Sequence, residues 1–172
     1  MQIVRMGKKW YSYTYGQLDI EEIPKKLQEF YERNVDSGEP MEITIGTDSQ
    51  NKPGYTKIVS VISIICRGRG GIFFHQIEYS DMIINVREKL ERETNRSLEI
   101  AHTLIDLLEQ EIFQEMYLNC PISIHIDAGN APSGKTKDLI QSLVGWVHAM
   151  GYDCEIKPNS YAASSIADRI SK

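Results

Sequence analysis

Two periods of hydrophobic spacing succeed one another along this chain. In DIEEIPKKLQEFYERN, residues Ile20, Ile23, Leu27, Phe30 and Tyr31 recur at helical spacing, which predicts an amphipathic helix begun at Asp19. Ser37-Gly38-Glu39-Pro40 breaks it, and MEITIGTDS then runs as a short strand. A turn at Asn51, Pro53 and Gly54 leads into KIVSVISIIC, whose β-branched residues suit a strand that crosses a sheet. The turn RGRGG joins this to IFFHQIEYS, so three strands follow one another as an antiparallel meander. From Asn85 to about Met116 the pattern is helical, with Leu98, Ala101, Leu104, Ile105, Leu108 and Ile112 on one apolar face. ISIHIDAG is a strand ending in an acid and a glycine, SGKTKDLIQSLVGWVHAMG a helix stopped by Gly151, and CEIKP a further strand. The tail SYAASSIADRI reads as a short helix that Asn159 or Ser160 caps.

After the N-terminal helix the order is β-β-β-α-β-α-β-α, with two crossovers that should be right-handed. This succession resembles the ribonuclease H fold, an α/β architecture built on a five-stranded mixed sheet flanked by helices. The resemblance, and not the periodicity, supplies the strand order 3-2-1-4-5, three antiparallel strands and then two parallel ones. On this reading residues 1–40 form an N-terminal helical extension and residues 41–172 the ribonuclease H-like domain.

Composition narrows the function classes. A chain of 172 residues is the usual size of one domain. It has no run approaching the roughly 18 apolar residues of a membrane span and no apolar stretch of a secretory signal at its start, so a cytoplasmic protein without membrane contact is expected. Cys66, Cys120 and Cys154 form no CxxC pair and are read as buried or neutral thiols. The net charge of -5 argues against broad coating of nucleic acid, which needs a basic excess, and leaves local contact open. Lys8, Lys9, Arg67, Arg69, Lys135 and Lys157 are the candidates for a local patch. Trp10, Tyr11, Tyr13 and Tyr15 form an aromatic cluster whose first expectation is packing on the domain, with subunit pairing and base stacking as alternatives. The oligomeric state is left open.

The candidate chemistry is acidic. Asp48 and Asp127 each end a strand, and the resembled fold sets those strands side by side, at about 4.8 Å. Carboxylates that close repel unless a hard dication such as Mg²⁺ neutralises them. Taken singly, each aspartate is also a good turn residue. A rival motif lies at residues 129–136, where GNAPSGKT satisfies G-x-x-x-x-G-K-[ST] between a strand and a helix. In a phosphate-binding loop Lys135 would reach the terminal phosphate and Thr136 the magnesium. Only one further strand follows, ending in Lys157-Pro158 instead of an acid. The segment is therefore read mainly as a turn whose Ser133-Gly134 opens the helix, and a nucleotide hydrolase as the lesser alternative.

IGTDSQ looks like the first-strand acidic motif of ribonucleases H, and TNRSLEIA like the segment carrying that family's helical glutamate, which puts Glu99 in the matching position. Asp168, from the last helix, is the natural fourth acid of related nucleases. Together IGTDSQ, ETNRS, HIDAG and IKPNSYAASSIAD resemble the YkuK family of the ribonuclease H-like superfamily over nearly the whole chain. The resemblance implies a metal-dependent nuclease that hydrolyses phosphodiesters with two Mg²⁺ or Mn²⁺ ions held by Asp48, Glu99, Asp127 and Asp168, and hence nucleic acid as partner. Lys157 and His125 are candidates for orienting phosphate or carrying a proton, although His125, inside a strand, reads first as a hydrogen-bonded core histidine. Glu99 and His102 form one E-x-x-H pair, too few for a di-iron bundle. The alternative to an enzyme is a module that keeps the fold and binds nucleic acid or protein without turnover.

Overall fold

The computed structural model describes residues 9–129 and 135–172, apart from the side chains of Lys135, Ala163, Ser164 and Asp168. Three long strands form its centre: β3 (Met41–Lys52), β4 (Tyr55–Cys66) and β5 (Gly70–Ser80). They pair antiparallel without interruption, from Lys52 opposite Tyr55 and from Cys66 opposite Gly70. Between β3 and β4 the loop is Pro53-Gly54 alone, and Gly54 adopts the positive φ of +86° that an L-residue disfavours.

The helix α2 (Val86–Leu108) starts where Asn85 accepts hydrogen bonds from the N–H groups of Arg87 and Glu88, and it runs through Thr94-Asn95-Arg96-Ser97 unbroken. It ends earlier than its apolar pattern predicts. A 3-10 turn over Glu111–Phe113 separates it from α3 (Gln114–Asn119), and Ile112 is exposed, off the core face. The parallel strands β6 (Ile122–Ile126) and β7 (Asp153–Glu155) follow, joined through α4 (Lys135–Ala149). The tail makes a π-helical turn at Ala162–Ala167 and closes with α5 (Asp168–Ser171).

The sheet departs from the expected one by two added strands, while β5-β4-β3-β6-β7 keep the expected order of five. It has seven strands in the order β2-β1-β5-β4-β3-β6-β7, because β1 (Trp10–Ser12) and β2 (Gly16–Leu18) form a hairpin that pairs along β5. The amino-terminal segment is thus a hairpin followed by the helix α1 (Ile23–Asn34). Strands of three residues are too short for their alternation to be read as a period, and pairing of Tyr11 opposite His75 covers a sheet edge that would otherwise lie open.

The two faces of the sheet are unequal. On one, Ile43, Ile45, Ile62, Ile64, Phe74 and Ile124 pack under α1, α2 and α4, in a continuous core that also takes in Trp10 and Leu18 of the hairpin. On the other, Val59 and Val61 form a small apolar cluster with Ala167, Ile166 and Ile170 of the tail, and the polar Thr44, Asp48, Ser63, Ser123 and His125 are buried beside it. Asp48 lies directly across from Val59 and therefore belongs to this second face.

Candidate metal centre

β3 and β6 pair as far as Thr47 opposite Ile126. Asp48 and Asp127 are the next residue of each strand, so both carboxylates stand on the second face where the pairing ends. Asp48 is buried, and Ser171 of α5 donates its hydroxyl to Oδ2 at 2.8 Å. Burial, with Asp127 beside it, pushes the Asp48 carboxyl up to about 6 against the pull of the Ser171 hydrogen bond and Lys89. Lys157 sets its ammonium 2.8 Å from Oδ1 of Asp127. It is positioned by a backbone bond from its own N–H to the carbonyl of Ala128.

The third carboxylate at this place is Glu93, not Glu99. Glu93 is 4 % exposed, and its Oε1 accepts the backbone N–H of Ser49 at 2.9 Å and the Ser49 hydroxyl at 2.6 Å. Its Oε2 is buried with no hydrogen-bond partner among the described residues. Desolvation raises Glu93 to about 8, offset in part by Ser49 and by Lys89, whose Nζ is 3.8 Å from Oε1; the charges of Asp48 and Asp127 add to the rise. Glu99 has a side chain 51 % exposed and bonds only along its own helix, to Asn95 at 3.1 Å and Arg96 at 3.2 Å. The structure thus does not bring Glu99 together with these carboxylates. Glu99 stands six residues from Glu93, about 120° round the helix and roughly 9 Å along it, which turns it away from the carboxylates. Glu93 is the first residue of the ETNRS segment.

Asp168 is the first residue of α5, the helix whose Ser171 touches Asp48; its side chain lies outside the described residues. So do residues 130–134 of GNAPSGKT and the side chain of Lys135. Lys8 is likewise outside them, and Lys9 is paired with Asp19 at 2.9 Å. His102 is exposed and 3.9 Å from Asp106, in a contact separate from those of Glu99. His125 is a core histidine: its Nδ1 accepts the N–H of Ala162 at 3.2 Å, its ring meets Tyr161 edge-on, and burial lowers it to about 4. Burial favours the neutral imidazole, whose Nδ1 bond to Ala162 holds the tail to β6.

Residues 22–172 match the family described as Ribonuclease H-like. The chain belongs to this family. It is also 30 % identical to the Uncharacterized protein YkuK of Bacillus subtilis (strain 168), over 95 % of this chain and 96 % of that protein, which places it in the YkuK group of ribonuclease H-like proteins. That membership agrees with carboxylates gathered at the end of the central strand. Among the described residues no three His, Cys, Asp or Glu side chains already form a closed shell for a metal ion. Nor, among them, is any helix long and apolar enough to cross a membrane.

The donor set nevertheless suits a hard dication. It consists of carboxyl oxygens, two of the carboxyls held back from ionising by burial, and Oε2 of Glu93 has no hydrogen-bond partner among the described residues. A cation at this place removes both penalties together.

Proposed function

We propose that this ribonuclease H-like chain is a Mg²⁺- or Mn²⁺-dependent nuclease that hydrolyses phosphodiester bonds, with Asp48, Asp127 and Glu93 as metal-holding residues. Asp168 is the further acid, at the start of α5. The observation that carries the proposal is the pair Asp48 and Asp127 at the open end of the β3–β6 pairing, with Glu93 drawn to the same place from α2. Two buried carboxyls with raised proton affinity are costly to keep in an uncompensated site. Bound there, metal would lower the pKa of an attacking water and stabilise the departing oxygen.

The chain's own residues prepare that place. The Ser171 hydroxyl fixes the Asp48 carboxyl, and the two Ser49 donors fix Glu93. Lys157, half exposed beside Asp127, provides a positive charge at the edge where a phosphate would enter.

The test is cleavage of a labelled panel (RNA-DNA hybrid, duplex, single-stranded DNA and RNA, four-way junction) in Mg²⁺ and Mn²⁺ by wild type, Asp48→Asn and Glu93→Gln. Metal-dependent cutting lost in both variants supports the nuclease. Equal cutting by all three, or none by wild type, overturns it in favour of a module without turnover.

A further inference from the structure

The second face of the sheet is covered by the tail at Asp48, Val59, Val61 and His125, and Phe73 and Ile77 pack partly against the same cluster. Beyond the tail, toward the hairpin edge, its surface is aromatic. Ile77 lies across from Val59, so the alternating positions Phe73, His75 and Tyr79 share the face of Asp48, as do Lys57 and Tyr55 on β4. On β1 the same face carries Tyr11, opposite His75, and Tyr13 follows it past the end of the strand. Tyr11 stacks on His75 at 5.8 Å, Tyr13 meets Phe73 edge-on at 5.8 Å, and Tyr55 meets Tyr79 at 5.6 Å. Tyr11, Tyr13 and Tyr55 are exposed, Tyr13 by 91 %.

Two features separate this strip from an ordinary apolar patch. Its members are rings, and in a chain of net charge -5 none of these strand positions on β1, β4 or β5 holds a carboxylate. Cations flank it at both ends. Arg67 and Arg69 stand exposed in the β4–β5 turn at the Phe73 end, while Lys57 and Lys52 stand at the Tyr55 end, donating to the carbonyls of Ile170 and Lys172. That second end leads round the close of α5 toward Asp48, which is two strand spacings from Ile77, roughly 10 Å.

We propose that this strip binds single-stranded nucleic acid, its bases stacked on the exposed tyrosines and its phosphates drawn to the flanking lysines and arginines, and that it delivers the strand to the carboxylates. Stacking on rings is indifferent to base identity because every base has a π-face, and it needs bases freed from a duplex. The surface therefore selects single strands over duplexes without reading sequence. As a delivery path it rests on the nuclease reading; as a binding surface it is tested apart from it.

The experiment measures fluorescence anisotropy of labelled oligo(dT), oligo(U) and a duplex of equal length, in chelator so that no cutting occurs, with wild type, Tyr11→Ala/Tyr13→Ala and Tyr13→Trp. Circular dichroism and gel filtration run alongside. Wild type is expected to bind one or both single strands in preference to duplex. The double alanine variant is expected to lose roughly 5- to 150-fold per stacked base with its fold intact, and Tyr13→Trp to retain binding. The two oligonucleotides separate DNA from RNA. No binding by wild type, equal binding by the alanine variant, or a tyrosine-dependent dimer that binds no strand overturns the proposal. Binding with these features but no cleavage in metal leaves the strip standing and removes the nuclease; cleavage lost in Asp48→Asn with binding unaffected by the tyrosines does the reverse.

Discussion

Ser49 gives both its backbone N–H and its hydroxyl to one oxygen of Glu93, at 2.9 and 2.6 Å, while the other oxygen of Glu93 is buried with no hydrogen-bond partner among the described residues. This ties the α2 helix to β3 one residue beyond Asp48. On the nuclease reading proposed above, it makes Glu93 the helical carboxylate of the site. Glu93→Gln is expected to weaken Mn²⁺ binding by at least the roughly 10- to 100-fold typical of lost supporting groups, whereas Glu99→Gln should leave it unchanged. Isothermal titration of both variants decides; an effect of Glu99→Gln equal to that of Glu93→Gln would return the site to Glu99.

The same carboxyl sets a pH dependence. Glu93 is raised from 4.5 to about 8, so the folded protein binds this proton more tightly than the unfolded chain; the stabilisation is complete below 4.5 and is lost as pH rises through 8. Asp48, raised from 3.8 to about 6, has the same sign over a lower window. His125, lowered from 6.5 to about 4, has the opposite sign: its contribution is present above 6.5 and is lost as pH falls toward 4. Between pH 6.5 and 8 Glu93 contributes the largest change of these three. Stability in chelator should therefore fall by about 2 kcal/mol across that interval, and Glu93→Gln should flatten the slope in urea titrations.

On the proposed reading, metal and proton would compete for these carboxyls. Adding Mn²⁺ at pH 7 should release protons and raise the Tm, with about 2.7 kcal/mol of stabilisation at a hundredfold excess over Kd. Chelation should reverse both effects, and Asp48→Asn should abolish them. Calorimetry in buffers of different ionisation enthalpy checks the proton release; the same Tm rise in Asp48→Asn would place the ion elsewhere.

Arg96 forms a bidentate contact with Glu78, through Nε at 2.6 Å and a guanidinium nitrogen at 3.1 Å, and also reaches Gln76 at 2.8 Å. Glu78 is almost wholly buried, so Arg96→Ala strands a charge and should cost about 3 to 5 kcal/mol. The exposed pair Arg87 and Glu91, at a comparable 2.8 Å, should cost less than about 1 kcal/mol when Arg87 is replaced by alanine. Denaturant unfolding of both variants measures the contrast.

Adjacent aromatics of the hairpin should behave oppositely. Trp10, 1 % exposed and packed in the main core, should cost about 3 to 5 kcal/mol as Trp10→Ala. Tyr13→Ala should stay within about 0.5 kcal/mol of wild type. A large loss from Tyr13→Ala would show that its ring supports the fold and is not reserved for a ligand.

The sequence by itself determined what is written in local period and turn chemistry. Helix spacing in IPKKLQEFYERN, β-branched runs on either side of Pro53-Gly54, and Asn85 before the long helix need only near neighbours, and these elements stand where their patterns put them. Asp127, directly after β6, was legible as a strand-ending acid for the same reason, whereas β3 runs past Asp48 to Lys52. Tertiary structure alone decided the rest. Glu93 and Glu99 sit on one helix in equally charged surroundings, and only the rotation of α2 against β3, fixed by Ser49 and by the packing of Leu98, Ala101 and Leu104, turns one inward and the other to solvent. The hairpin was hidden likewise, since strands of three residues gain their stability from the β5 edge they join and leave too short a pattern to read. Contacts between residues distant in the chain depend on register and rotation, and neither is encoded in the spacing of any single segment.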